Sequence, residues 1–253
     1  MIMININNFI QEKLKINSNS KINEYSYHPK DKDELKELVD KLIEERGNKA
    51  NLNDIDTSNI TDMSRLFSET LLKEFNGDIS SWDVSNVEDM SWMFYKSKFN
   101  GDISKWNVSN VENMQGMFAE SKFNDDISKW DISKVKNMSH IFYDSKFNGN
   151  IFNWDVSNVK DMQAMFAYSE FNGDVSNWDV SNVEYMINMF SSSVFNQDIS
   201  KWNVSNVKNM SYMFYDSKFN GDISKWDVSN VKNLLFMFNN SPLEKNPPKW
   251  YHE

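Results

Sequence analysis

Residues 82–104 read W-D-V-S-N-V-E-D-M-S-W-M-F-Y-K-S-K-F-N-G-D-I-S, and the chain then repeats them. Tryptophan recurs at 82, 106, 130, 154, 178, 202, 226 and 250, a step of 24 residues. A fixed period of about 20 to 50 residues marks an array whose units touch only their neighbours. Aligned on this period, the apolar residues fall into columns. Phenylalanine holds 75, 99, 123, 147, 171, 195 and 219, and again 94, 118, 142, 166, 190, 214 and 238, so fourteen of its 18 occurrences sit in two columns. Methionine (Leu234 in the last copy) runs from Met90 to Met210, and valine from Val87 to Val231. These columns predict one continuous core.

Spacing within a repeat predicts what each coil is made of. Trp106 and Val108 are two apart, the alternation of a short strand. Val111, Met114, Met117 and Phe118 follow at i, i+3, i+6 and i+7, one face of a helix. Ser109 precedes that face with Glu112 three residues on, a capping box repeated at Ser85–Glu88 and Ser181–Glu184. The expected fold is therefore α/β, a leucine-rich-repeat solenoid of 24-residue strand-helix coils.

The motif W-[DN]-[VI]-S-[NK]-V-x-x-M-x-x-[MI]-F, followed by S-x-F-N-G-D-I-S, resembles the BspA-like leucine-rich repeats called PARCEL repeats, abundant in mycoplasmas and some other bacteria. The resemblance covers about residues 52–250. It implies a leucine-rich-repeat solenoid, often a surface or interaction protein, with no catalytic residues to carry over.

The two ends differ from the repeats. Within 1–16 the apolar residues are broken by Asn5, Asn7, Asn8, Gln11 and Glu12, which suits a short amphipathic helix and lacks the unbroken apolar core of an export signal. Residues 22–27 suit a strand ended by Pro29. Leu35, Leu38, Val39, Leu42 and Ile43 lie at i, i+3, i+4, i+7 and i+8, with Asp31 and Glu34 as the start signal and Gly47 as the stop. Residues 1–50 are expected to form an N-terminal helical cap. Residues 51–241 are expected to form the solenoid, opening with a degenerate coil (Leu52, Ile55, Thr57, Ile60, Met63, Leu66, Phe67) at a step of 27. Residues 242–253, with Pro247 and Pro248, are expected to terminate it.

Composition narrows the function. A net charge of -10 and a pI near 4.9 argue against non-specific binding to nucleic acid or anionic lipid. No transmembrane segment is read, and the absence of cysteine excludes disulfides and thiolate metal sites. The three histidines, 28, 140 and 252, belong to the N-terminal region, a variable repeat position and the tail. No phosphate loop, nucleophile elbow or metal-ligand cluster accompanies them, so no enzyme and no cofactor is expected.

Polar columns offer the remaining candidates. Asn76 and its counterparts at 100, 124, 148, 172, 196 and 220 are expected to bond backbone groups of their own and the adjacent coil. Asp83, Asp131, Asp155, Asp179 and Asp227, with Asn107 and Asn203, should point outward beside the inward tryptophan and valine. Stacked carboxylates repel unless something neutralises them; calcium is one reading, and hydrogen bonding to turn amides is the other. At the variable positions large and small side chains alternate over 48 residues. Either a bulky group packs over its neighbour's small one, or Trp92, Tyr95, Tyr143, Tyr212, Tyr215 and Phe236 form an aromatic patch for a partner.

The functional expectation is non-catalytic binding of a protein partner through the outward strand face. Its candidate contacts are Lys105, Asn107, Lys129, Asp131, Asn153, Asp155, Asn177, Asp179, Lys201 and Asn203. The alternative is a surface or adhesion role with calcium or glycan binding. Without an export signal the default location is cytoplasmic, while the family resemblance admits the cell surface.

Overall fold

A five-residue unit, Asx-apolar-polar-any-apolar, recurs up to three times in a repeat, with departures at 150–154, 185–189 and 233–237, and dictates the shape of the coil. In one coil the units are 78–82 (D-I-S-S-W), 83–87 (D-V-S-N-V) and 89–93 (D-M-S-W-M). The first side chain of each accepts the amide two residues on: Ser80 on Asp78 at 3.0 Å, Ser85 on Asp83 at 3.0 Å, Ser91 on Asp89 at 2.7 Å. Such Asx turns start a chain reversal. The last amide then donates to the carbonyl of the second residue, Trp82 to Ile79 at 3.1 Å, Val87 to Val84 at 3.0 Å and Met93 to Met90 at 3.2 Å. Each unit is thus a β-turn that sends two apolar side chains, three residues apart, into the core. Two more turns follow, closed by Tyr95 on Trp92 and Ser97 on Phe94.

The computed structural model describes residues 25–68 and 72–252. Among them are one α-helix, α1 (Lys32–Arg46), two short 3₁₀ turns (Leu72–Glu74 and Pro242–Glu244) and no β-strand. This overturns the expected strand-helix coil, and with it the leucine-rich-repeat assignment. The i, i+3 spacing read as a helix face is the spacing of turn corners. Trp92 and Lys96 have φ of 58° and 57°, and the same two columns stay left-handed through every later coil. Two left-handed residues four apart cannot sit in a right-handed helix. Ser109 caps no helix either: its amide and hydroxyl both donate to Asn107. Trp106 closes one turn and Val108 opens the next, so no extended strand joins them.

What the coils lack in internal regular structure they make up between neighbours. Parallel pairing is confined to single bridges, Asp62 with Asp89, Asp89 with Asn113, and so on to Asn209 with Asn233. Around each bridge alternate amides point along the stack. Met90, Trp92, Phe94 and Lys96 donate to the carbonyls of Asn113, Gln115, Met117 and Ala119 at 2.7–3.0 Å. The amides between them close the turns, so consecutive N–H groups serve the coil and its neighbour in alternation.

Side chains extend the same ladders. Each tryptophan of the 82–250 column sends its indole N–H to a carbonyl of the preceding coil, as Trp154 to Ile127 at 3.1 Å. From Asn100 to Asn220 each asparagine of the 76–220 column donates its backbone amide to the preceding asparagine's Oδ1 at 2.7–3.0 Å, and Asn76, the first, donates to the Asn48 carbonyl. These asparagines mostly lie at the surface rather than in buried loops. The serine of S-x-F is buried in every coil, and its Oγ accepts the phenylalanine amide two residues on, as Phe147 on Ser145 at 3.2 Å.

The core runs without interruption from Leu35 to Phe238. Its two phenylalanine columns stack face to face, 5.7–5.9 Å apart along the 94–238 column and 4.2 Å within a coil at Phe142–Phe147. At the first coil, α1 is started by Asp31, whose side chain accepts the Glu34 amide, and stopped by Gly47 at φ 83°. Leu35, Val39, Leu42 and Ile43 face the core, Lys32 pairs with Asp62, and Arg46 pairs with Asp54 at 3.0 Å. The first coil keeps its step of 27. At the other end Trp250 stacks on Trp226 and Tyr251 meets Phe238 edge-on. The helix expected within 1–16 and the first half of the strand expected at 22–27 fall outside the described residues; Tyr27 itself bridges Ile55.

Candidate interaction surface

Turn geometry sets which side chains face out. The residues on either side of each buried tryptophan occupy turn corners, and all ten expected contacts are exposed: Lys105, Asn107, Lys129, Asp131, Asn153, Asp155, Asn177, Asp179, Lys201 and Asn203. The stack brings them into one face, a face of turns rather than strands. Three lysines and three aspartates cancel, so the face carries no net charge that would steer a partner.

Its carboxylates are already occupied. Oδ1 of Asp131 and Asp179 accepts the amides of Ser133 and Ser181 at 3.1 and 3.0 Å. The Ser133 and Ser181 hydroxyls and amides hold both carboxyl groups below the usual aspartate range. The aspartate column therefore caps turns, the second of the two readings open from sequence. Among the described residues no group of three or more His, Cys, Asp or Glu side chains is placed to hold a metal ion. No helix among them is long and apolar enough to cross a membrane.

A second face carries apolar exposure. Trp92 lies across Gly116, where a Cβ would stand 2.3 Å from its ring. Here the alternation of large and small side chains is packing, and the small residues Ala119, Ala164 and Ala167 are likewise buried. The large residues nevertheless stay half-exposed and form a chain of ring contacts. Tyr95 meets Trp92 edge-on at 5.2 Å, His140 lies 6.0 Å from Trp92 and 5.7 Å from Tyr143, and Tyr143 meets Tyr168 at 5.6 Å. Arg65 sits over Trp92 and Lys96 over Tyr95. Tyr168 is 53% exposed. Tyr212, Tyr215 and Phe236 make a separate cluster further along. Sequence reading did not place His140 and Tyr168 in the strip; the 48-residue alternation was the signal for His140, and no signal marked Tyr168.

His140 is the titrating member. Its Nδ1 is buried and finds no hydrogen-bond partner among the described residues. Burial pushes the imidazole below its ordinary value near 6.5, against a smaller upward pull from Asp161. The folded protein thus binds this proton less readily than the unfolded chain. Stability from the neutral ring is full above that ordinary value and is lost as pH falls below it. The turn aspartates act in a lower window, contributing above about 3.8 and losing their contribution as pH drops toward their depressed values. Thermal melts between about pH 7 and pH 5 should therefore show a smaller drop in Tm for His140→Gln than for the native protein. Parallel slopes would refute the role given to His140.

A polar groove of about 440 Å³ is lined among others by Asn86, Glu88, Asn110, Glu112 and Lys134. Lys134 donates to Asn110 Oδ1 at 2.6 Å, and Glu112 accepts from Lys136 at 2.7 Å.

No curated protein and no solved structure gives a significant match to the chain. A family described as Mycoplasma protein of unknown function, DUF285, matches residues 34–151 and 144–250. Those segments run from the first turn of α1 through the last coil, and the chain belongs to that family.

Proposed function

We propose that the protein is a non-catalytic protein-binding module in which the strip Trp92, Tyr95, His140, Tyr143 and Tyr168 anchors the partner. The observation carrying this reading is the continuous chain of half-exposed rings on a backbone fixed by ladders to both neighbours. Tryptophan and tyrosine dominate binding energy at protein interfaces, and a preformed surface loses little entropy on association. Lysine, aspartate and asparagine, which make up the face beside the tryptophan column, suit the rim of an interface better than its centre.

The test is recovery of partners by the immobilised protein, comparing the native chain with Trp92→Ala/Tyr143→Ala and with Asp155→Lys/Asp179→Lys. The aromatic pair is expected to weaken capture by at least about thirtyfold, the equivalent of about 2 kcal/mol for one hot-spot ring. The charge-reversal pair is expected to change it little. The opposite ranking would move the binding site to the tryptophan-flanking face. Calcium-dependent capture, or capture of a glycan, would favour the surface and adhesion role suggested by the resemblance to BspA-like proteins.

A further inference from the structure

We propose that Asn220-Gly221 is a site of spontaneous chemical modification, where asparagine deamidates ahead of every other Asn-Gly pair in the folded chain. Five such pairs occur, at 76, 100, 148, 172 and 220, and the pentapeptide F-N-G-D-I is identical around Asn76, Asn100 and Asn220. Local sequence therefore gives those three the same intrinsic reactivity, and any difference between them comes from the fold.

The reaction needs the side chain to swing round. The backbone nitrogen of Gly221 attacks Cγ of Asn220 and forms a C–N bond while its amide proton passes to water. The Cγ–Nδ2 bond breaks and ammonia leaves, giving a succinimide. Water then adds to either ring carbonyl, producing aspartate or its isomer, in which the chain runs through the former side chain. No oxidant or reductant is involved.

The asparagine ladder withholds this motion at four of the five pairs. Oδ1 of Asn76, Asn100, Asn148 and Asn172 accepts the amides of Asn100, Asn124, Asn172 and Asn196 at 3.0, 2.7, 2.9 and 2.9 Å. Rotating any of these side chains breaks a bond to the next coil. Asn220 ends the column. It donates its own amide to Asn196 at 2.8 Å, but no later asparagine follows, and its exposed side chain makes no hydrogen bond among the described residues. It lines a groove where the last coil meets Leu243, Pro247 and Pro248 of the tail. Modification there would place a carboxylate, or a lengthened backbone, at the contact that closes the stack.

The experiment is ageing of the intact native protein in mildly alkaline buffer, with peptide mapping by mass spectrometry and isoaspartate detection at each of the five pairs. One retained side-chain hydrogen bond corresponds to about a tenfold difference in rate, so Asn220 is expected to lead Asn76 and Asn100 by about that factor. In denaturant the lead should vanish. Asn220→Gln should remove most of the early isoaspartate while leaving the interior pairs unchanged. Equal rates in the folded protein, or an interior pair reacting first, would overturn the proposal.

Discussion

Phe142→Ala is expected to lower stability by about 3–5 kcal/mol, the range for emptying a large aromatic site in a packed core. The ring is fully buried and stacks on Phe147 at 4.2 Å, on Phe118 and Phe166 of the flanking coils at 5.9 and 5.8 Å, and near Trp154 at 6.1 Å. No neighbour can collapse into the gap without leaving its own ladder, since each coil is bonded to the coils on both sides. Chemical unfolding followed by tryptophan fluorescence measures the loss. Phe238→Ala is the control, because that ring has a phenylalanine coil on one side only and tail residues on the other. A cost below about 1 kcal/mol at Phe142 would mean that the stacked columns are not the main source of stability.

Removing residues 126–149 is expected to leave a shorter protein that still folds. The cut joins Asp125 to Asn150, so the next Asx unit arrives where Asp126 stood and every ladder regains its partner. Removing only the first half of that stretch should abolish the cooperative transition. It would set phenylalanine columns against tryptophan columns and methionines against aspartates, and leave the asparagine ladder broken, forfeiting about the 5–15 kcal/mol that a folded chain typically has. Circular dichroism and denaturant titration of both deletions give the answer. A half-coil deletion that melted like the whole-coil deletion would show that register between coils is not what the stack depends on.

The period, the buried columns and α1 were legible because each rests on burial or on a terminus signal that one sequence carries in full. Tryptophan, phenylalanine and methionine at fixed positions have to be inside, and Asp31 with Gly47 bounds a helix without reference to anything distant. The interior of the coil was misread because i, i+3 spacing belongs equally to a helix face and to successive β-turns. What separates them is the Asx two residues before a polar amide, together with a left-handed residue in the turn. Glycine marks that residue only at Gly116; elsewhere Trp92, Lys96, His140 and Tyr168 occupy it and hide it. The buried serines were equally hidden, since serine ordinarily signals the surface and only the phenylalanine amide it accepts explains its place. On the candidate faces, outward placement followed from flanking a buried tryptophan. The ring chain through His140 and Tyr168 depends on side chains a whole coil or more apart and so has no local signature.

The alternation of amides between turn and neighbouring coil also makes this molecule a spring with a defined unit of extension. Bonds between coils lie along the stack, while the chain itself winds around it. Tension on the two termini would peel one coil at a time from an end instead of shearing the whole body. Each event would release 24 residues, about 80 Å of extended chain. Interior coils share nearly the same ladder bonds, so their rupture forces should be close to equal, and the molecule would lengthen under load in even steps.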